Sequence, residues 1–252
     1  MNRVRGPRPQ IMPEKEPCFI SRYYRRLRAV ASAVFADSPA KMERMDYDTY
    51  WRRRGEYFFS TRYAAFAEEI AAGASVLDIG CGEGATLRYL KKERQTAGEG
   101  LDISHTGVEM AKASGINARQ ADVTSRDFSL ESSYDHIIIS EVLEHIPNPE
   151  ELLLKVRERF RKSLIISVPN TGHYIHRLRL LFGRFPVQWQ LHPGEHLRFW
   201  TIKDFKPWIE AQGFTVAEMK VHSGFSGLCR IWPNLFADSS VFIVRRTGRD
   251  GA

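Results

Sequence analysis

The sequence predicts an α/β protein built on a doubly wound, mostly parallel sheet of seven strands. From Ser75 onward, short apolar runs alternate with amphipathic segments, which is the pattern of consecutive βαβ units. Two of the runs, Ile137–Ile139 and Leu164–Ile166, are continuously apolar, as expected of strands that helices cover on both faces. A chain of 252 residues is long enough for one domain of this kind with additional segments.

The predicted strands follow the apolar runs. They are Val76–Ile79, Ala97–Asp102, Ile116–Gln120, Asp135–Ser140, Leu164–Val168, Phe214–Val221 and Ser240–Arg245. The last two fit an antiparallel pair that closes the sheet. Helices are predicted after Pro149 and from Thr201, because Thr201 and Asp204 resemble a capping box.

The segments around the sheet divide the chain into parts. Residues 1–20 hold four prolines and predict an irregular or disordered leader. Residues 21–72 have a helical pattern that Gly73 ends, which predicts an N-terminal helical cap. Residues 73–250 are the predicted main domain, in which residues 170–200 form an insert after the fifth strand. We expect this insert to act as a lid, since its aromatic and arginine side chains suit recognition of an acidic or glycosylated small molecule; the alternative is a helical hairpin whose aromatic side chains pack on the core.

Composition limits the partners and the compartment. The net charge is +7, and much of the positive charge lies in Arg22–Arg28 and Arg52–Arg54, where a solvated helical face is favoured over a nucleic-acid contact. No apolar run reaches the ~18 to 20 residues that cross a bilayer, so no membrane partner is expected. The three cysteines suggest no disulfide framework, which favours a cytoplasmic protein. A homodimer is left open.

The strongest motif is the segment Val76–Gly84, VLDIGCGEG, which runs from a strand through three alternate glycines into a helix. Glycine permits positive φ and close approach of a ligand at the carboxyl edge of a parallel sheet. Asp78 precedes the first glycine, and its carboxylate would repel the pyrophosphate of a dinucleotide. The same carboxylate can accept a hydrogen bond, directly or through water, from an ammonium group. The motif therefore indicates a ligand that carries an ammonium group and no phosphate.

Two further aspartates follow predicted strands. Asp102 ends the second strand, where a carboxylate can accept hydrogen bonds from both ribose hydroxyls, although an NAD enzyme would also place an acid there. Asp122 follows the third strand, where it can accept from an adenine amino group or serve only as a cap or turn residue. The combination of Asp78, Asp102 and Asp122 is what distinguishes the ligand.

Together these residues resemble the class I S-adenosylmethionine (SAM)-dependent methyltransferases, over roughly residues 45–220. The resemblance implies a Rossmann-like fold, an enzyme of methyl transfer, and SAM as cofactor with S-adenosylhomocysteine (SAH) as product. It places Ser140–His145 beside the methionine part of SAM, and it makes the Tyr50–Trp51 pair a candidate to close over the cofactor. The implied cofactor-binding residues are Asp78, Gly80, Gly82, Asp102, Ile103, Asp122, Val123, Ser140 and Glu141.

The pattern Glu141-x-x-Glu144-His145 is similar to a segment of ubiquinone-pathway O-methyltransferases and of small-RNA 2′-O-methyltransferases. Some of those proteins bind Mg²⁺ through such residues, but the same string occurs in relatives that bind no metal. We therefore assign no metal ligand here and keep Mg²⁺ as the weaker alternative. For proton transfer the candidates are His145, then His173 and His196, while a structural role for His145 stays open.

The stretch Val168–Tyr174, VPNTGHY, continuing to Pro186, is similar to the methionine-biosynthesis protein W family. Members of that family have been linked to a homoserine acyltransferase, so the resemblance implies an alternative in which the chain is the non-catalytic partner of an acyltransferase. Two departures favour catalysis instead: the Glu-Val-Leu-Glu-His segment and the additional helical cap.

The function that we predict is transfer of a methyl group from SAM to an oxygen, and less favourably a nitrogen, of a small-molecule substrate. The acceptor would be acidic, glycosylated or a secondary metabolite. An RNA methyltransferase is the third alternative, in which the basic N-terminal clusters would contact phosphates. It ranks behind the others because no recognised nucleic-acid module accompanies the main domain.

Overall fold

The computed structural model describes residues 19–37, 46–54, 60–187, 196–225 and 227–248. Its helices are α1 (Phe19–Phe35), α2 (Tyr47–Arg54), α3 (Arg62–Glu69), α4 (Ala85–Arg94), α5 (His105–Ala113), α6 (Pro149–Val156), α7 (Tyr174–Leu181), α8 (Ile202–Ala211), α9 (Leu228–Ile231) and α10 (Pro233–Phe236). Its strands are β1 (Ser75–Ile79), β2 (Ala97–Asp102), β3 (Asn117–Gln120), β4 (Tyr134–Ser140), β5 (Phe160–Pro169), β6 (Phe214–Gly224) and β7 (Ala237–Arg246). A 3₁₀ turn spans Leu143–His145.

The strands form one seven-stranded sheet in the order β3-β2-β1-β4-β5-β7-β6. The pairs among β1 to β5 are parallel, and β7 lies antiparallel between β5 and β6. The prediction of a mostly parallel sheet of seven strands is therefore confirmed. The strand β5 begins earlier than predicted, at Phe160, because Phe160 pairs with Tyr134 at the start of β4. The order reverses between β1 and β4, so the loops after these two strands diverge and leave a crevice at the carboxyl edge.

The core lies on both faces of the sheet. Ile137 and Ile139 pack into one apolar cluster, and Ile138 between them packs into the other. The neighbouring strand β5 repeats this arrangement, with Leu164 and Ile166 on one face and Ile165 on the opposite face. Burial on both faces explains why these two strands are continuously apolar.

The helices before the sheet begin close to the predicted leader boundary, since α1 starts at Phe19. Residues 1–18, which make up most of the predicted leader, lie outside the described residues, as do residues 38–45 and 55–59 within the predicted cap. Contacts within the chain separate residues Met1–Ala36 from residues Asp37–Ala252 as two compact units. Within the second unit, Phe66 and Ile70 of the α3 region are buried against the sheet.

The insert after β5 contains α7 and is attached to the sheet at both ends. Asn170 Nδ2 donates to the Ala237 carbonyl (2.8 Å), and the Thr171 amide donates to the Trp200 carbonyl (2.9 Å). Thr201 then caps α8 by accepting a hydrogen bond from the Asp204 amide, as predicted. The part of the insert at residues 188–195 lies outside the described residues, so its role as a lid stays a prediction.

Among the described helices, none is both long and apolar enough to cross a membrane.

The contribution of the core beneath α8 to stability can be measured by substituting Phe205. Its side chain is fully buried, with ring centroids 4.6 Å from Phe242, 5.4 Å from Trp208 and 5.6 Å from Trp200. Phe205→Ala should lower the free energy of unfolding in urea by roughly 3–5 kcal/mol, because it leaves a cavity among rings that cannot collapse. Leu154→Ala on the exposed face of α6 is the control and should change it by less than about 0.5 kcal/mol. An equal effect of the two substitutions would contradict this account of the core.

Candidate functional site

A cavity of about 750 Å³ lies at the carboxyl edge of the sheet, at the crevice between β1 and β4. The predicted cofactor residues that line it are Asp78, Gly80, Asp102, Ile103, Asp122, Val123, Ser140 and Glu141. Gly82 lies directly beside it in the glycine loop, between the lining residues Cys81 and Glu83. The structure thus brings together residues that lie up to 63 positions apart in the sequence of the chain.

The loop after β1 requires glycine at two positions. Gly80 has φ +78°, and a Cβ there would lie 2.3 Å from Cγ2 of Val142. Gly82 has φ +51°, and a Cβ there would lie 1.9 Å from the ring of Trp51. Both the backbone conformation and the lack of space therefore exclude a side chain. Within the loop Gly80 is exposed at the edge of the sheet, whereas residues 81–84 are buried.

Asp102 holds the glycine loop and the start of α5. Its Oδ2 accepts a hydrogen bond from the Gly82 amide (2.7 Å), and its Oδ1 accepts one from the Ser104 amide (2.8 Å). Burial raises the pKa of this carboxyl group, while the two amides oppose the rise. Each carboxylate oxygen has a second lone pair, so Asp102 can also accept from ribose hydroxyls on the cavity side.

Asp78 is the most deeply buried acid at the cofactor end. Burial, and next the charge of Asp102, raise the pKa of Asp78 to about 7, while Arg62 and a hydrogen bond from Thr86 lower it. A buried carboxylate of this kind is stabilised by a cation placed against it. The site can therefore hold an ammonium group of a bound ligand.

Helix α2 covers the glycine loop. Asp48 Oδ1 accepts hydrogen bonds from Ser104 Oγ (2.5 Å) and from the Thr106 amide (2.9 Å), which fixes α2 to the start of α5. The ring of Trp51 then lies over Gly82 and Gly107, and a Cβ at Gly107 would lie 3.1 Å from it. Trp51 lines the cavity, as expected of a residue that closes over the cofactor.

The loop after β3 forms the far end of the cavity. Asp122 Oδ1 accepts hydrogen bonds from the Thr124 amide (2.9 Å) and Thr124 Oγ1 (2.6 Å), which is a local turn. One carboxylate oxygen of Asp122 therefore serves the local turn, which was one of the two roles that the sequence left open. The side chain also lines the cavity, together with Ile103 and Val123. Two apolar side chains and a carboxylate are a suitable environment for a flat base with an amino group.

Glu141 occupies a strained position after β4. Its φ is +55°, which few residues other than glycine adopt. Its Oε1 accepts hydrogen bonds from Ser167 Oγ (2.9 Å) and Ser239 Oγ (2.8 Å) and lies 3.4 Å from Arg62 Nη1. Three neighbouring strands or helices therefore hold this carboxylate in place, which is how the backbone strain persists.

The three histidines predicted to transfer protons lie in two different places. The rings of His145 and His196 are 4.8 Å apart and both line the cavity. They meet because the amides of Leu197 and Arg198 donate to the carbonyl of Glu144 (2.7 and 3.0 Å). His173 lies outside the cavity lining, and its Nε2 is 3.1 Å from Asp238 Oδ1.

Glu144 forms a potential metal-binding cluster with these two histidines. Glu144, His145 and His196 offer donor atoms that lie within 4.8 Å of one another. Both carboxylate oxygens of Glu144 are buried without a hydrogen-bond partner in the described part of the chain, and burial raises its pKa well above the usual range. One carboxylate with two imidazoles suits a transition-metal ion such as Zn²⁺ or Mn²⁺ better than Mg²⁺, which prefers oxygen ligands.

Sequence reasoning missed several residues that line the cavity, among them Arg62, Asp238 and His176. Burial lowers the pKa of His176 to about 4. His176 lies three residues after His173, so helical spacing placed it near the site but did not show that it, rather than His173, faces the cavity. No signal in the sequence indicated Arg62 or Asp238, which reach the cavity through the packing of α3 and β7.

The strand order, the glycine loop and the aspartate that ends β2 together define the class I SAM-dependent methyltransferases, with SAM as the cofactor of the class. This confirms the class and the cofactor that the sequence predicted. The chain belongs to the family described as methionine biosynthesis protein MetW, which it matches over residues 61–244.

Two relatives and one solved structure show the range of similar proteins. The chain is 26% identical over 242 residues to the bifunctional methionine biosynthesis protein MetXA/MetW of Rhodopirellula baltica, covering 87% of this chain and 38% of that protein. It is 30% identical over 196 residues to a ubiquinone biosynthesis O-methyltransferase of Saccharophagus degradans, covering 71% and 82%. The structure of magnesium protoporphyrin IX methyltransferase from Synechocystis with bound SAH shares the fold, with TM-score 0.53, 18% identity and coverage of 91% and 96%.

The pKa of Asp78 predicts a pH dependence of SAM binding. The carboxyl group binds an ammonium group only when it is deprotonated, so the association constant should fall up to tenfold per unit as the pH drops below about 7. Calorimetric titration of SAM between about pH 5.5 and 7.5 measures this. Asp78→Asn should bind SAM more weakly and show a flatter profile. An unchanged slope in that variant would assign the titration to another group.

The position of Trp51 predicts its contribution to cofactor binding. Trp51→Ala should raise the dissociation constant of SAM about tenfold, because a large ring no longer covers the glycine loop. Arg53→Ala, an exposed residue of the same helix, is the matched control and should leave the constant unchanged. If both variants bind SAM like the original protein, α2 does not cover the cofactor.

Proposed function

We propose that the protein transfers the methyl group of SAM to a hydroxyl oxygen of a small-molecule acceptor. The observation that carries the proposal is the division of the cavity into two chemically different ends. Buried aspartates lie at the glycine loop, and histidines lie at the opposite end, where a substrate would enter. The relative named as an O-methyltransferase supports oxygen as the methylated atom.

The charges of the cavity suit a cationic cofactor. Seven carboxyl side chains line it: Asp78, Glu83, Asp102, Asp122, Glu141, Glu144 and Asp238. The arginines of the lining are Arg54 and Arg62, and Arg62 is paired with Glu141. SAM carries a sulfonium and an ammonium group, whereas a dinucleotide carries a pyrophosphate that such a cavity would repel.

The histidine end of the cavity suits an acceptor hydroxyl. Burial, and next the neighbouring His145, lower the pKa of His196 to about 4, and burial is also the main reason that the pKa of His176 is about 4. Both imidazoles are therefore neutral near pH 7 and can accept a hydrogen bond from a hydroxyl group. Their weak basicity is sufficient if alignment of the reacting groups supplies most of the acceleration.

The arginines predicted to clamp an acidic acceptor are engaged elsewhere. Arg198 donates to the Pro147 carbonyl (2.8 Å) and pairs with Glu150 (3.2 Å), and Arg177 donates to the Gly172 carbonyl (2.7 Å). The proposed acceptor therefore meets Arg62 and the histidines rather than a cluster of arginines from the insert.

Each residue would have a limited task in the reaction. When bound, SAM supplies a methyl group on a positively charged sulfur, which an acceptor lone pair displaces. Asp78 holds the ammonium group, Asp102 orients the ribose, and Trp51 excludes water from the loop. His145 or His196 accepts the hydroxyl proton as the carbon–oxygen bond forms.

A second candidate function is that of a non-catalytic partner of an acyltransferase. It is favoured by the bifunctional relative, in which a MetW part and a MetXA part share one name and this chain spans 38% of the whole. This candidate requires a stable complex and no methyl transfer. It is tested by size-exclusion chromatography of the purified chain with a homoserine acyltransferase.

Measurement of SAM turnover distinguishes methyl transfer from the non-catalytic partner role. SAH formation measured with matched phenols and anilines should be faster for the hydroxyl compounds. Of His145→Ala and His196→Ala, the variant that removes the proton acceptor should lower kcat about 100-fold, and both should leave SAM affinity within twofold because the cofactor end is unchanged. His105→Ala, on the exposed start of α5, is the control and should retain full turnover.

Two results would contradict methyl transfer to oxygen. Tight SAM binding without SAH formation for any acceptor, together with a complex with the acyltransferase, would replace methyl transfer by the partner role. Faster methylation of the anilines would assign the reaction to nitrogen.

A further inference from the structure

An apolar surface lies beside the cavity and is not used by the proposed reaction. Ile231 and Leu181 are the two most exposed large apolar side chains in the described ranges, with exposed fractions of 80% and 76%. Further exposed apolar side chains lie in the same two segments, residues 171–187 and 225–236: Leu180, Phe185, Phe225, Leu228 and Trp232. Exposed apolar residues that cluster in this way mark a contact surface, whereas single ones do not.

The two segments are neighbours in the fold. The ring of Tyr174 at the start of α7 lies 6.1 Å from Phe225 and 5.8 Å from Phe236. Arg177 Nη2 of the same helix donates to the Asn234 carbonyl (3.4 Å) in α10. These contacts join the start of α7 to residues 225–236, and we term the exposed side chains of residues 171–187 and 225–236 the α7–α10 face.

The two segments contain arginines but no acidic residues. Residues 171–187 and 225–236 contain four arginines and no aspartate or glutamate, in a chain that has 30 acidic residues in 252. Arg177 and Arg230 are exposed, whereas Arg184 pairs with Asp37 (2.8 Å). Arg179 is buried and donates from Nε to the Phe185 carbonyl (2.8 Å), which orders the chain after α7.

This combination matches one kind of partner. Aromatic and long aliphatic side chains flanked by arginines are typical of surfaces that lie in the headgroup region of a bilayer. Anionic headgroups would attract the exposed Arg177 and Arg230, whereas Arg184 is already paired with Asp37. We propose that the α7–α10 face binds the surface of an anionic lipid bilayer.

This proposal departs from the sequence-based expectation of no membrane partner. That expectation rested on the lack of an apolar run long enough to cross a bilayer, whereas peripheral binding needs only an exposed face. The same helix reaches the cavity, because α7 carries both His176, which lines the cavity, and Leu181, which lies five residues, or about 7.5 Å of axial rise, further along. An acceptor with an apolar tail would then reach the cavity from the bilayer. This statement about the acceptor rests on the proposed function, whereas the binding of the protein to vesicles is independent of it.

The test measures binding of the full chain to vesicles by flotation. Vesicles of phosphatidylcholine with phosphatidylglycerol should bind the protein, and phosphatidylcholine alone should bind it less. The double variant Leu181→Asp, Ile231→Asp should lower the partition coefficient at least tenfold, since it removes apolar contact and adds repulsive charge. Leu154→Asp is the matched control, because Leu154 is 63% exposed on α6, and it should bind like the original protein.

Four results would overturn the proposal. The first is absence of binding to either vesicle, and the second is equal binding by the double variant, which would move the contact to another basic segment such as α1. The third is a dimer that the double variant dissociates, and the fourth is an acyltransferase complex that this variant loses. The SAM affinity of the double variant, measured without vesicles, should be unchanged. Loss of SAM affinity would show that the variant is misfolded, and its weaker vesicle binding would then not support the proposal. Since SAH formation is measured separately, failure of the lipid contact and failure of methyl transfer are distinguishable.

Discussion

Burial of acidic groups at one edge of the sheet is the constraint on which the rest of the site depends. Parallel strands end at the same edge, so the residues that terminate β1, β2 and β4 converge there. Burial raises the pKa of Asp78, Asp102 and Glu144 alike, and two loop amides partly offset the rise at Asp102. A cation bound against Asp78 would stabilise its charged form, so the buried acid favours a cationic ligand.

The sheet and the cofactor end of the site could be predicted because their signals are local. Continuous apolar runs follow from burial on both faces, and the glycines follow from positive φ beside a packed ring. These requirements apply to single positions or short periods, so a single sequence displays them. The same holds for the cap at Thr201, whose partner lies three residues away.

The histidine end of the site could not be predicted in the same detail, because it depends on contacts between distant segments. His196 meets His145 only because the chain returns from the insert onto the carbonyl of Glu144. His176 of α7 lines the cavity, whereas His173, just before the helix, lies beside Asp238, and the spacing of the two histidines does not reveal this difference. The engagement of Arg177 and Arg198 with backbone carbonyls is equally invisible in the sequence.

The attachment of the insert has a consequence for how this protein family can diversify. Asn170 anchors the outgoing chain to the Ala237 carbonyl, and Glu144 anchors the returning chain through the amides of Leu197 and Arg198. His176 and His196 both line the cavity and lie between these anchors, so the part of the insert that can change in length and composition is the stretch between α7 and His196. If this stretch contacts the acceptor, exchanging it between homologues would alter which acceptor is admitted and leave both histidines in place. Loop exchange within this stretch is then a practical route to new specificity on this scaffold.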